Sequence, residues 1–208
     1  MSSSIRVFIS SKQREFEAER SVLAHEIRNI PLLEPVLAEE WNPTGTSVRD
    51  VYLNDVRTSP IYVGLFGAIY SEPTYLEYLA ACENPYREKL IYLKQADNVD
   101  ERLKKLIVEF QDRHVPAKFR TLGDLVPVFS QHLIAALGRM IAALQLMGET
   151  KPVAHGSGSV LEKRWWKQQQ QLNGLGLAGG STPEEYGKLI RQISDTITSL
   201  QTKARAGA

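Results

Sequence analysis

The chain has 208 residues, of which 43% are hydrophobic, and this suits one domain of ordinary size with a short addition. Its net charge of +1 gives no general preference for nucleic acid or for an anionic membrane surface, so neither is expected as a partner. One cysteine excludes an internal disulfide, the first residues lack a signal-peptide core, and no apolar run approaches the ~20 residues that cross a bilayer. The composition therefore predicts a soluble, cytoplasmic protein.

Up to about residue 147, β-branched apolar segments alternate with amphipathic ones. The predicted strands are 5–9, 33–37, 61–66 and 90–93, with a short fifth strand near Phe119. The predicted helices run from the end of the first strand to Asn29, from Ser47 through Val56, and over 74–82, 99–110 and 122–147. This alternation predicts a parallel sheet covered on both faces, and five strands predict a flavodoxin-like, doubly wound fold in the order 2-1-3-4-5.

The composition changes after Gly148, so residues 1–148 are predicted to form the α/β domain. Residues 149–159, rich in Gly and Ser, are predicted to be a linker. Two helices within 160–208 are predicted to form a C-terminal helical hairpin, and the second carries an apolar stripe that so short an element cannot bury alone. We therefore expect residues 160–203 to dock on the domain or to join a homo-oligomer or a partner protein.

Several polar side chains follow the ends of predicted strands, where α/β sheets bind their ligands. Glu77 lies one turn into the helix after the third strand. Three interpretations of it are open: it contacts a ligand, it pairs with Arg20 to join two helices, or it is a plain exposed glutamate. Ser10 and Ser11 end the first strand, where they either hold a phosphate or ribose or cap the next helix. Asp55 either orients Arg20 or is a solvated helix residue.

A series of short motifs occurs in a fixed order along the chain: 7–11, 19–20, 55–70, 74–78 and Ala81. Together they resemble a TIR-like domain of unknown function often found at the N-terminus of large STAND-type NTPases, and the resemblance covers roughly residues 5–135. That family is similar to nucleoside 2-deoxyribosyltransferases and to TIR-domain NAD hydrolases. The resemblance implies a TIR-like version of the flavodoxin-like fold.

In the transferases a Gly-Thr-x-x-Glu motif opens the corresponding helix, and its glutamate attacks the anomeric carbon of the sugar. Thr74 and Glu77 match this motif, whereas Pro73 stands in the place of the glycine. The family's Gly-Glu-Arg-Tyr-Gly turn reads Gly-Ala-Ile-Tyr-Ser at 67–71, and Glu15 stands where an aspartate is usual. Glu77 is thus the candidate catalytic residue. The candidates for substrate binding are Ser10, Ser11, Gly67, Tyr70 and Thr74. The candidates for supporting roles are Arg20 and Asp55.

The resemblance implies a nucleotide or nucleoside ligand whose N-glycosidic bond is cleaved, NAD being one possible substrate, in bacterial antiphage defence. A carboxylate against the anomeric carbon suits the oxocarbenium-like transition state of that reaction. The alternative is a non-catalytic module for nucleotide sensing or for protein interaction and oligomerisation. No cofactor is expected, and the four histidines and Cys82 lack metal-ligand spacing.

Overall fold

The computed structural model describes residues 4–30, 32–37 and 48–148, together with Arg191 and Asp195. The strands are β1 Ile5–Ser11, β2 Leu33–Val36, β3 Ile61–Phe66, β4 Glu88–Lys94 and β5 Ala117–Phe119. The helices are α1 Glu17–Arg28, α2 Val48–Thr58, α3 Glu72–Cys82, α4 Glu101–Arg113 and α5 Leu122–Gly148, and a 3₁₀ turn over Gln13–Glu15 precedes α1. The predicted linker 149–159 lies outside the described residues, as does the predicted hairpin 160–208 apart from two single positions.

The five strands form one parallel sheet in the order β2-β1-β3-β4-β5, which confirms the flavodoxin-like, doubly wound prediction. Side chains of α1 and α5 pack on one face, and those of α2, α3 and α4 pack on the other. All six residues of β3 are buried because both faces are covered. Successive β3 side chains therefore enter the two cores in turn.

Helix α5 combines high hydropathy with extensive contact to the sheet. Its residues Leu122–Ala142, 21 in number, have a mean hydropathy of 1.4, so by length and composition this described helix could cross a membrane. Asp124 and Arg139 interrupt this stretch, so it contains no long unbroken apolar run. The side chains of Leu125, Phe129 and Leu133 are buried against the sheet, as in the core helix of a soluble α/β domain.

Two elements that carry candidate residues have different ends from the sequence prediction at the carboxyl edge, the edge of the sheet where the strands end. Strand β1 continues to Ser11 rather than ending at Ile9. Helix α3 begins at Glu72 rather than Thr74, because the Ser71 side chain accepts a hydrogen bond from the Thr74 N–H and Pro73 lies in the first turn. Both differences lengthen the ordered backbone near the candidate residues.

Arg87 ties three elements together at the opposite, amino edge of the sheet. Its side chain is 4% exposed, and the guanidinium donates to backbone carbonyls at 2.5 to 3.1 Å. The acceptors lie at the end of α2, before β3 and in the last turn of α3: Arg57, Ser59, Ala80 and Ala81. Burial lowers the pKa of Arg87, while the negative ends of two helix dipoles favour its charge.

We predict that Arg87→Met lowers the free energy of unfolding by on the order of 3 kcal/mol, because buried carbonyls lose a charged donor. The measurement is urea denaturation of the full chain. Arg113→Met is the matched control: Arg113 is exposed and pairs with Glu109 within α4, and its loss should change stability by less than about 0.5 kcal/mol. Equal effects of the two substitutions would contradict the structural role of Arg87.

Candidate functional site

The candidate site forms where the neighbouring strands β1 and β3 end. In the parallel register Ser10 pairs with Gly64 and Ser11 pairs with Leu65. The chain leaves β1 towards the α1 face and leaves β3 towards the α3 face, so the connections diverge. This divergence is the switch point at which doubly wound sheets hold their ligands.

The hydroxyl of Ser10 donates a hydrogen bond to the Glu77 carboxylate. Ser10 is 1% exposed and Glu77 8% exposed, so the contact is buried on the face covered by α3. The Ser71 cap and Pro73 fix where α3 begins, and this start places Glu77 in the second turn, against the end of β1. A hydrogen bond to an ionised carboxylate inside a protein is strong and orients the acceptor.

The Ser11 side chain lies on the face of the sheet opposite to that of Ser10, because successive side chains of a strand alternate between the two faces. Arg20 of α1 donates to the Ser11 hydroxyl at 3.0 Å and to the Ile9 carbonyl at 3.1 Å, and both side chains are buried. The alternative in which Ser11 caps α1 is wrong: that helix begins after Phe16, and the intervening 3₁₀ turn separates it from the strand. Ser11 instead joins the first strand to the first helix through Arg20.

Gly67 allows the segments after β1 and β3 to approach closely. A Cβ atom there would lie 2.8 Å from Cδ of Glu15 and 2.8 Å from Cζ of Phe16. The Glu15 carboxylate uses this closeness to accept a hydrogen bond from the Ala68 N–H at 2.5 Å. Glu15, noticed in the sequence only through the family motif, therefore bridges the two diverging connections.

Gly67, Tyr70 and Thr74 line one shallow depression together with Lys12, on the side of the edge nearer α4. Its empty volume is about 240 Å³, part of which is open to solvent. The Tyr70 ring lies 6.3 Å from the Tyr75 ring between centroids and 4.4 Å from Cζ of Arg102. The described residues that line this depression do not include Ser10, Ser11 or Glu77, so the candidates divide between a depression and a buried pair beside it.

Asp55 lies away from this site, and both interpretations of it from the sequence are wrong. Helix α2 runs opposite to the strands, so its last turn reaches the amino edge of the sheet, far from the contact between Arg20 and Ser11. There Asp55 accepts a hydrogen bond from Arg6 at 2.7 Å. Its side chain is only 17% exposed, so it is a half-buried ion pair rather than a solvated residue.

The sequence interpretation missed an ion pair that reaches the carboxyl edge from the α1 face. The Lys94 Nζ atom at the end of β4 lies 2.6 Å from the buried Glu19 carboxylate and 5.7 Å from the centroid of the Phe16 ring. A lysine that directly follows a buried strand is the signal that could have found it. Within the described part of the chain, no cluster of three metal-ligating side chains occurs.

Comparison with known protein families gives a match over residues 6–133 to a domain of unknown function, DUF4062. The matched residues begin in β1 and end within α5, so they include all five strands. No curated protein and no solved structure matches the chain.

We predict that Gly67→Ala destabilises the chain by about 1–3 kcal/mol, because the new methyl group overlaps Glu15 and Phe16. Gly138→Ala is the control: that glycine lies within α5 with nothing within 4 Å of the new methyl group. There alanine should stabilise the helix by about 0.5–1 kcal/mol. Urea denaturation measures both, and equal signs would show that Gly67 has room for a side chain.

Proposed function

We propose that this chain, which belongs to the DUF4062 family of domains of unknown function, binds a nucleotide or nucleoside at the carboxyl edge and cleaves its N-glycosidic bond. The observation that supports this proposal is the buried contact between Ser10 and Glu77 at the switch point of the sheet. The resemblance to TIR-like domains, NAD hydrolases and nucleoside deoxyribosyltransferases supplies the reaction class. NAD or a nucleoside is the proposed substrate, and no cofactor is invoked.

The chemistry asks for a carboxylate next to the anomeric carbon. As the bond from that carbon to the base breaks, the base leaves with the electron pair and positive charge develops on the sugar. Nicotinamide leaves NAD as a neutral base, whereas the base of a nucleoside also takes up a proton from solvent. Glu77 either stabilises this charge or forms a covalent bond to the anomeric carbon. In the second case water or a second base later attacks that carbon and displaces the carboxylate. Ser10 orients the attacking oxygen, and a buried site strengthens the attraction between carboxylate and sugar.

The neighbouring residues are proposed to hold the rest of the substrate. Tyr70, whose ring is half-buried beside the depression, stacks on the base, and Thr74 and Gly67 form the wall below it. Ser11 faces the ribose or phosphate, held in place by Arg20. By the same resemblance we propose a cytoplasmic effector of bacterial antiphage defence.

We predict that Glu77→Gln lowers the rate of base release by about 100-fold or more, because the amide lacks the charge that stabilises the transition state. The purified full chain is incubated with NAD and a panel of nucleosides and nucleotides, and the released base is quantified by chromatography. Glu83→Gln is the control, since that exposed carboxylate beyond the other end of α3 pairs with Arg57. Circular dichroism must show both variants folded; unchanged release by Glu77→Gln would remove the residue from the mechanism.

A second candidate function is a non-catalytic module that senses a nucleotide. The small exposed fraction of Glu77 and its absence from the described residues that line the depression favour this function, because both limit direct contact between the carboxylate and a sugar. In this case the contact between Ser10 and Glu77 holds the edge together. Calorimetry would then show nucleotide binding by a wild-type chain that releases no base from any member of the panel.

Residues 160–203 are proposed to carry an oligomer or partner interface in either case, because their apolar stripe and paired tryptophans are costly to expose. We predict that deleting residues 160–208 lowers the mass measured by light scattering by more than the lost residues account for. Full and truncated chains that are both monomers of equal stability would show that this segment is neither an interface nor a support.

A further inference from the structure

The hydroxyl of Tyr62 is a buried polar group whose presence needs an explanation. Tyr62 lies in the middle of the sheet with 0% exposure, and its hydroxyl makes no hydrogen bond of ordinary geometry with the described residues. A phenylalanine would fill the same ring volume without burying an unsatisfied oxygen. The groups next to this oxygen therefore indicate what it contributes.

The backbone directs this side chain towards the candidate site. Tyr62 pairs with Phe8 in the register of β1 and β3, and the two rings are stacked with 6.4 Å between centroids. One step closer to the carboxyl edge on the same face, Gly64 pairs with Ser10. A Cβ atom on Gly64 would lie 3.0 Å from Cε1 of Tyr62, so the ring occupies the space that a side chain at 64 would take.

The groups that act on this hydroxyl include both members of the buried pair, together with Cys82 and Tyr78 of α3. Burial raises the pKa of Tyr62, the charge of Glu77 raises that pKa further, and Ser10 lowers it. The phenol is thus a protonated donor at neutral pH. Ser10 gives its one proton to Glu77 and keeps lone pairs that can accept a hydrogen bond.

We propose that Tyr62 is a positioning residue for Glu77: its hydroxyl donates to Ser10 and so fixes the hydrogen bond from Ser10 to the Glu77 carboxylate. The inference rests on the proposed function of that carboxylate. Gly64 leaves room for this contact on the tyrosine side, because it has no side chain beside the Tyr62 ring. The chain of donors then runs from Tyr62 through Ser10 to Glu77, and each hydrogen bond strengthens the next.

The test is a double-mutant cycle on the full chain, with the unfolding equilibrium constant measured in urea at pH 7. Tyr62→Phe should raise that constant at least about fivefold in the wild-type background and less than about twofold in the Glu77→Gln background. Tyr92→Phe is the matched control, because this buried tyrosine on β4 contacts His132 at 3.2 Å on the other face of the sheet. Its effect should be the same in both backgrounds.

A purely structural tyrosine would not give a pH-dependent effect. We expect the fold-change caused by Tyr62→Phe to shrink as the pH falls and Glu77 takes up a proton, and to be independent of pH in the Glu77→Gln background. Equal fold-changes in both backgrounds and at every pH would overturn the proposal. Because these are stability measurements, a failure to detect base release would overturn the proposed reaction and leave this result intact.

Ser10→Ala tests the path of the interaction. If Ser10 connects the two groups, Tyr62→Phe should have less than about twofold effect on the unfolding constant in the Ser10→Ala background. An undiminished effect there would overturn the role given to Ser10. If base release is measurable, Tyr62→Phe should lower kcat more than it changes KM and move the acid limb of the pH profile to higher pH.

Discussion

The parallel pairing of β1 with β3 is the constraint on which the other features of the candidate site depend. It sets Ser10 beside Gly64 and Ser11 beside Leu65, and the chain then leaves the two strands towards opposite faces. Since side chains alternate along a strand, the two serines are committed to different helices. Glu77 reaches one serine from α3, and Arg20 reaches the other from α1.

Two glycines shape this region as much as the polar side chains do. Gly64 leaves space for the Tyr62 ring beside Ser10, and Gly67 lets Glu15 reach the backbone of the connection after β3. Each glycine thus converts a close approach of backbone segments into a contact between distant parts of the chain. The edge around Glu77 is consequently compact.

The fold was predictable because it follows from local patterns. Apolar runs and turn residues locate the strands, and their alternation with helices leaves few topologies for a parallel sheet. The candidate site was predictable only where a residue lies at a strand end or in the first turns of the helix that follows, as Ser10, Ser11 and Glu77 do. Partners across the sheet, such as Glu19 with Lys94, depend on register and packing that no local pattern contains. The prediction for Asp55 was wrong for the same reason, because the direction of α2 decides which edge of the sheet this residue reaches.

Arg87 has a consequence for how the molecule opens. Its guanidinium donates at the same time to the end of α2, to the residues before β3 and to the end of α3, so each segment loses a charged hydrogen bond when it moves away from the others. These segments therefore behave as one cooperative unit in local unfolding. An opening that keeps the Arg87 contacts intact must therefore begin in other parts of the domain.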